Sequence, residues 1–208
     1  MPFDFAEMVA PAHTAVVTCE MQRGIIGDLA AVPDLADEVA ARGVLANAAA
    51  LCDAARTAGV RVVHALVEIR ADRAGVSINN PMMRHAVKNP DQVRQGSPFA
   101  ELCPELGPKP EDIEVRRIHG LTPFTGTELD SVLRNLGVTT IVPVGVSVNE
   151  ALLGLCLVAA DLGYQIALPT DAIAGVPRSY AEDVVRFTLA LLANLTTTEK
   201  VRNAWVFG

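Results

Sequence analysis

Short runs rich in β-branched residues alternate along this chain with stretches of helical apolar spacing, and that alternation limits the folds open to it more than any other feature. Thr14 to Cys19 (TAVVTC), Arg61 to Glu68 (RVVHALVE), Ile113 to Ile118, Thr139 to Val144 and Gln165 to Leu168 read as strands, with Val201 to Val206 as a last edge strand. Between them, Leu35 to Ala58 reads as one long Ala-rich amphipathic helix ending at Gly59, and Glu128 to Leu136, Glu150 to Leu162 and Tyr180 to Leu195 as further helices. Thr127, with Asp130 three residues on, reads as an acidic variant of the capping box. Strand, helix and strand in succession are βαβ units, which build parallel sheets covered on both faces. The expected fold is therefore α/β, a doubly wound three-layer sandwich with a mainly parallel sheet of five or six strands. One domain spanning residues 1–208 is the simplest division, with a long loop insertion at about 70–112 where Gly, Asn, Pro and polar residues dominate.

Composition agrees with a buried sheet. Half of the 208 residues are hydrophobic but only nine are aromatic, so the core must be built from Ala, Val, Leu and Ile. A formal net charge of -7 argues against nucleic acid, whose recognition needs clustered Lys and Arg. No basic leader followed by an apolar run opens the chain, and no apolar stretch reaches about 18 residues. No membrane partner and a cytoplasmic location are the expectations. Cys19, Cys52, Cys103 and Cys156 are widely spaced and read as buried free thiols.

In open α/β sheets ligands bind beyond the carboxyl ends of the strands. That rule gathers Glu20, Arg70, His119, the 146–150 segment and Thr170 to Asp171 at one end of the molecule. The glycines of EMQRGIIGD are wrongly placed for a dinucleotide fingerprint, and there is no phosphate-binding loop, so no cofactor is expected.

Three segments carry a more specific signal. They are Glu20-Met-Gln22 after the first strand, Thr122-Pro-Phe124-Thr-Gly126-Thr127-Glu-Leu129-Asp130, and Gly145-Val-Ser147-Val-Asn149-Glu-Ala151-Leu, followed by a helix to Asp161-Leu-Gly163-Tyr164. In order and spacing they resemble the isochorismatase-like hydrolase superfamily, which has D-M-Q, K-x-x-x-S-A-F-x-x-T-x-L-D and G-V-x-T-N-x-C-V followed by D-L-G-Y. The resemblance runs from about residue 14 to 175. It implies a small-molecule hydrolase with an Asp-Lys-Cys triad, and a homo-oligomer of two or more chains. Here the acid position holds Glu20, the lysine count lands on Ile118, and the cysteine position holds Ala151. Strand parity turns Arg117 and His119, the neighbouring cations, from the face of Ile118 unless the register shifts. The resemblance also places a cis peptide at Val146-Ser147, and implies no metal, since His64, His85 and Asp171 do not reproduce the spacing of the family's nicotinamidases.

The expected activity is hydrolysis of an amide or vinyl-ether substrate without a cysteine nucleophile, with Glu20 as acid or base and His119 or Arg117 assisting. Gln22, Arg70, Phe124, Ser147, Asn149 and Ala151 are the expected substrate-binding set. The alternatives are a non-catalytic relative that binds a small molecule and an oligomeric scaffold. At single residues both readings stay open. Glu20 serves the pocket or pairs with a neighbour such as Arg23, and His64 is a core histidine or a site residue. Asn149 caps the following helix or shapes an oxyanion hole. Arg70 and Arg73 are solvated, or they anchor an anion.

Overall fold

The computed structural model describes residues 3–89 and 91–207. Its strands are β1 (Thr14–Cys19), β2 (Arg61–Val67), β3 (Ile113–Arg117), β4 (Thr140–Gly145), β5 (Gln165–Pro169) and β6 (Asn194–Thr196), all parallel in the order β3-β2-β1-β4-β5-β6. The helices are α1 (Phe5–Met8), α2 (Pro33–Ala41), α3 (Val44–Thr57), α4 (Pro81–Ala86), α5 (Leu129–Asn135), α6 (Ala151–Asp161), α7 (Arg178–Val184), α8 (Ala190–Leu192) and α9 (Thr198–Phe207).

The period of two in the central strands divides the core into layers. Ala15, Val17 and Cys19 of β1, with Val63, Ala65, Val115 and Ile141, pack against Leu133 of α5 and against Leu152, Leu155, Cys156 and Ala159 of α6. Val16, Val62, Leu66, Val142 and Val144 face the opposite layer, where Val44, Ala48, Leu51, Cys52 and Ala55 of α3 present one stripe and α9 adds Val201 and Trp205. Every residue of β1 and β4 is buried, which accounts for runs of apolar sequence that show no polar alternation. No helix among the described residues is long and apolar enough to cross a membrane.

The element boundaries differ from expectation in four places. The helix read as continuous from Leu35 to Ala58 is two helices, α2 and α3, because Gly43 turns left-handed between them (φ +64°). Residues 201–206 form helix rather than an edge strand. Val201 and Trp205, four apart, lie on one buried face, Trp205 Nε1 donates to the Val9 carbonyl at 2.7 Å, and Asp171 holds the first turn by accepting from Thr198 N (2.9 Å) and Oγ1 (2.7 Å). The edge strand is β6, within the residues read as the end of the preceding helix; that helix instead runs through α7, a π turn at Val185–Leu189 and α8. Thr127 accepts from Leu129 N at 3.2 Å, but Asp130 closes no capping box and instead accepts from the Tyr164 hydroxyl at 2.7 Å.

The 70–112 segment is tied to the carboxyl end of the sheet. Ile69 N donates to the Val93 carbonyl at 2.8 Å, and Arg23 N and Cys103 N bond to the Glu101 and Met21 carbonyls at 2.9 and 3.0 Å. Gly24 passes so close to the Pro98–Ala100 turn that a Cβ there would lie 2.6 Å from the Phe99 carbonyl oxygen. This half of the insertion packs along the chain after β1, and the half containing α4 stands over the strand ends.

Candidate active site

β1 ends at Cys19, and the chain turns at once through Glu20, a non-glycine residue in the left-handed region (φ +54°). Two backbone bonds hold that turn, from Glu20 N to the Ala65 carbonyl at 3.0 Å and from Gln22 N to the Glu20 carbonyl at 2.9 Å. A conformation of this kind costs on the order of 1 kcal/mol for a residue with a Cβ and persists where the surroundings impose it. The turn places the Glu20 carboxylate on the wall of a cavity of about 650 Å³ at the carboxyl ends of the strands.

Arg117, the last residue of β3, reaches the same wall. Its Nη2 donates to Glu20 Oε1 and its Nε donates to the Gly120 carbonyl at 3.3 Å, while its Nη1, shielded from solvent, has no partner. The Arg117 side chain is 4% exposed and that of Glu20 15%, so the ion pair is largely desolvated. The parity expectation for Arg117 is thus overturned. β3 stops at Arg117, on the buried side with Val115, and the chain bends after it, so the alternation does not extend to Ile118. Ile118 is 39% exposed and lines the cavity as an apolar wall, as does His119 in the loop that follows.

Ser147 and Ala151 line the cavity from the β4–α6 connection, where the Val146–Ser147 peptide is cis. Asn149 does not. Its Oδ1 accepts from the Ser147 hydroxyl at 2.8 Å and its Nδ2 donates to the Val176 carbonyl at 3.4 Å. It does not cap α6 either, since Glu150 occupies that position and no side chain bonds the first turn.

The other expected binding residues also lie off the cavity wall. Gln22 is fully buried, its amide bonding the Val67 N–H and carbonyl (both 2.9 Å) and the Ala100 carbonyl (2.8 Å), so it bolts β2 to the insertion. Phe124 is a core residue stacked on Tyr164, with ring centroids 5.9 Å apart. Arg70 forks onto Asp72 at 2.9 and 2.7 Å on the exposed surface. Arg73 donates to the Val87 carbonyl at 2.7 Å and so braces the insertion. Arg23 pairs with Asp28 and Glu101, leaving Glu20 to Arg117. His64 is a buried core histidine, 2.8 Å from Thr18 Oγ1 and 3.3 Å from Asp112.

Several cavity residues stand outside the expected set. Glu150, directly before Ala151, presents a second carboxyl; burial and then the negative charge of Glu20 raise it above the ordinary carboxylate value. The available signal was its place, next to the nucleophile position at a helix start. Met82, Met83, His85 and Lys88 come from the insertion and Asp34 from α2, adding both apolar and charged groups to the lining. No local pattern marks them.

Four thiols are present and none is suited to attack. Burial pushes Cys52, Cys103 and Cys156 up to about 12, and burial followed by the charge of Glu20 pushes Cys19 well above its ordinary value. The thiolate is the nucleophilic form. Among the described residues no group of three or more His, Cys, Asp or Glu is arranged to hold a metal ion. The cavity wall therefore offers the Glu20 and Glu150 carboxyls, the buried Arg117 guanidinium and the His119 imidazole together with Ala151, a set equipped for proton transfer and for binding a polarised oxygen.

Comparison with known proteins gives this geometry a context. The family model of the Isochorismatase domain matches residues 14–200. The chain is 30% identical over 200 residues to the isochorismatase family protein YecD of Escherichia coli O157:H7, covering 92% of this chain and 95% of that one. It is 34% identical over 152 residues to the ureidoacrylate amidohydrolase RutB of Rhizobium rhizogenes, covering 67% of this chain and 61% of RutB. A 35% identical match to YwoC of Bacillus subtilis covers 49% of this chain and about half, 53%, of that protein. In fold, the chain superposes on a cysteine hydrolase from Pseudomonas syringae pv. phaseolicola with a TM-score of 0.78 at 24% identity, over 99% and 95% of the two chains.

Proposed function

The chain belongs to the isochorismatase family of hydrolases, and we propose that it cleaves a small amide by direct attack of water, with Glu20 as the base and no covalent thiol intermediate. The observation that carries this reading is the desolvated Glu20–Arg117 ion pair on the wall of a cavity also lined by Ala151. The alanine removes the nucleophile that the family resemblance places there. A carboxyl remains at the acid position, paired with Arg117.

In this mechanism Glu20 takes a proton from water as the water oxygen adds to the substrate carbonyl carbon. The positive charge of Arg117 lies beside the oxygen on which negative charge develops, where a desolvated cation stabilises it far more than one in bulk water. Collapse of the tetrahedral species breaks the C–N bond, and the amine leaves with a proton. His119 is a second carrier on the same wall for returning protons to solvent. The similarity to RutB, named for amide hydrolysis, supports an amide over other acyl groups. Ala151 itself favours a second reading, cleavage of a vinyl ether, in which Glu20 would instead deliver a proton to carbon. In that chemistry the carboxyl is the proton donor, whereas Glu20 Oε1 accepts from Arg117 Nη2.

The test is a turnover screen of small amides, carbamoyl compounds and enol ethers with the wild type and Glu20→Gln. Loss of a positioned base costs about 10²- to 10⁴-fold in rate. A drop of that size in a variant that still melts cooperatively supports the reading. Compounds that bind both proteins and are turned over by neither make this a binding protein.

A further inference from the structure

Resting on that reading, we infer that Glu150 is a second catalytic residue, the acid that protonates the leaving nitrogen, with the substrate carbonyl oxygen accepting from Arg117 Nη1. Glu20 and Glu150 line one cavity from different elements, the turn after β1 and the cap position that precedes α6, with Ala151 next to Glu150 in the chain and also lining the cavity. Their surroundings differ. Glu20 has a guanidinium partner, whereas no side chain among the described residues bonds or pairs with the Glu150 carboxyl. Of the cavity's carboxyls, Glu20, which is ion-paired, and Glu150, which lacks any cationic partner, divide naturally into base and acid. Burial and the nearby charge of Glu20 both favour the protonated form of Glu150, the form this role requires.

Arg117 supplies the independent sign of a ligand. Its side chain is more than nine-tenths buried, two of its nitrogens are satisfied within the protein, and Nη1 is left with neither protein partner nor solvent. A buried N–H without an acceptor costs on the order of 1–3 kcal/mol, and a carbonyl oxygen bound at this wall would remove that penalty.

The proton balance closes. Glu20 takes one proton from water, Glu150 gives one to nitrogen as the C–N bond breaks, and the products are the acid and the amine. Transfer of the proton from Glu20 back to Glu150 through cavity water restores the starting state. The other ionisable groups lining the same cavity, besides Glu20 and Arg117, are Asp34 from α2, His85 and Lys88 from the insertion, and His119 after β3.

The experiment uses two probes with one acyl group, an alkylamide and a p-nitrophenyl ester, whose phenolate leaves without a proton. With Glu150→Gln, amide kcat should fall at least tenfold and the alkaline limb of its pH profile should disappear, while ester kcat stays within about twofold. A structural role for Glu150 moves both probes together and overturns the inference. Amide turnover abolished by Glu20→Gln but untouched by Glu150→Gln also overturns it, leaving the Glu20 mechanism standing. A wild type that cleaves neither probe removes both. Thermal melting of Glu150→Gln separates misfolding from chemistry, and Glu150→Asp, which keeps a carboxyl, should recover part of the amide rate.

Discussion

Replacing Glu20 by Met removes the charge that faces Arg117 while nearly conserving side-chain volume, and the structure sets the size of the effect. The guanidinium is 4% exposed, with one nitrogen already unpaired, so loss of the carboxylate leaves a buried cation with a single weak bond to the Gly120 carbonyl. Breaking a buried pair in this way costs about 3–5 kcal/mol. The reverse change, Arg117→Met, leaves a carboxylate that is 15% exposed and can take water from the cavity, so its cost is smaller, about 1–3 kcal/mol. The double variant carries neither orphaned charge and should lie within about 1 kcal/mol of the wild type, since apolar replacements of buried pairs are often neutral. Urea unfolding of the four proteins measures this directly. In a chain of this length roughly 4 kcal/mol also lowers Tm by about 8–16 °C. A cost below about 1 kcal/mol for Glu20→Met, or simple additivity in the double variant, would show that the pair is solvated and would remove the electrostatic basis of the mechanism.

Three further outcomes follow from the same geometry. Ala151→Cys places a thiol at the start of α6 beside the cavity, where helix N–H groups and Arg117 favour the thiolate; iodoacetamide at neutral pH should label residue 151 and spare the four native cysteines, as peptide mass mapping would show. His64 is held below the ordinary imidazole value by burial, against the opposing hydrogen bond to Asp112. Its folded-state proton affinity is the lower, so its share of stability is present above the unfolded value near 6.5 and is lost as pH falls through the folded one; His64→Gln should flatten the loss of Tm below about pH 6.5. Gly145 has φ +114° and a Cβ there would meet the Cys19 carbonyl oxygen at 2.3 Å, so Gly145→Ala should destabilise by at least about 2 kcal/mol in the same unfolding assay.

The parts of the fold that local patterns determine were legible, and those set by distant contacts were not. β1 and β4 are buried on both faces, so their uninterrupted apolar runs have one reading, and the rule that ligands sit beyond parallel strands leads directly to Glu20. Residues 201–206 carry apolar groups at spacings that fit either a strand or a helix, and only the partners of Trp205 and Thr198 decide between them. Arg117 was misplaced because parity was carried past the end of β3 by one residue. Gln22 read as a ligand through its place in the Glu20-Met-Gln22 segment, yet all of its side-chain amide hydrogen bonds go to backbone that the chain brings in from 45 and 78 residues away. The cavity wall contributed by Met82, Met83, His85 and Lys88 depends on how the insertion folds back, which no local spacing records.

Single-turnover hydrolysis in ¹⁸O-labelled water, with a probe the wild type cleaves, tests the central claim most directly. Direct attack by water under Glu20 predicts that the first acid released carries one ¹⁸O and that the intact chain never gains the mass of the acyl group. An acylated chain, or unlabelled acid from the first turnover, would mean that a protein side chain attacks the substrate and would contradict the account.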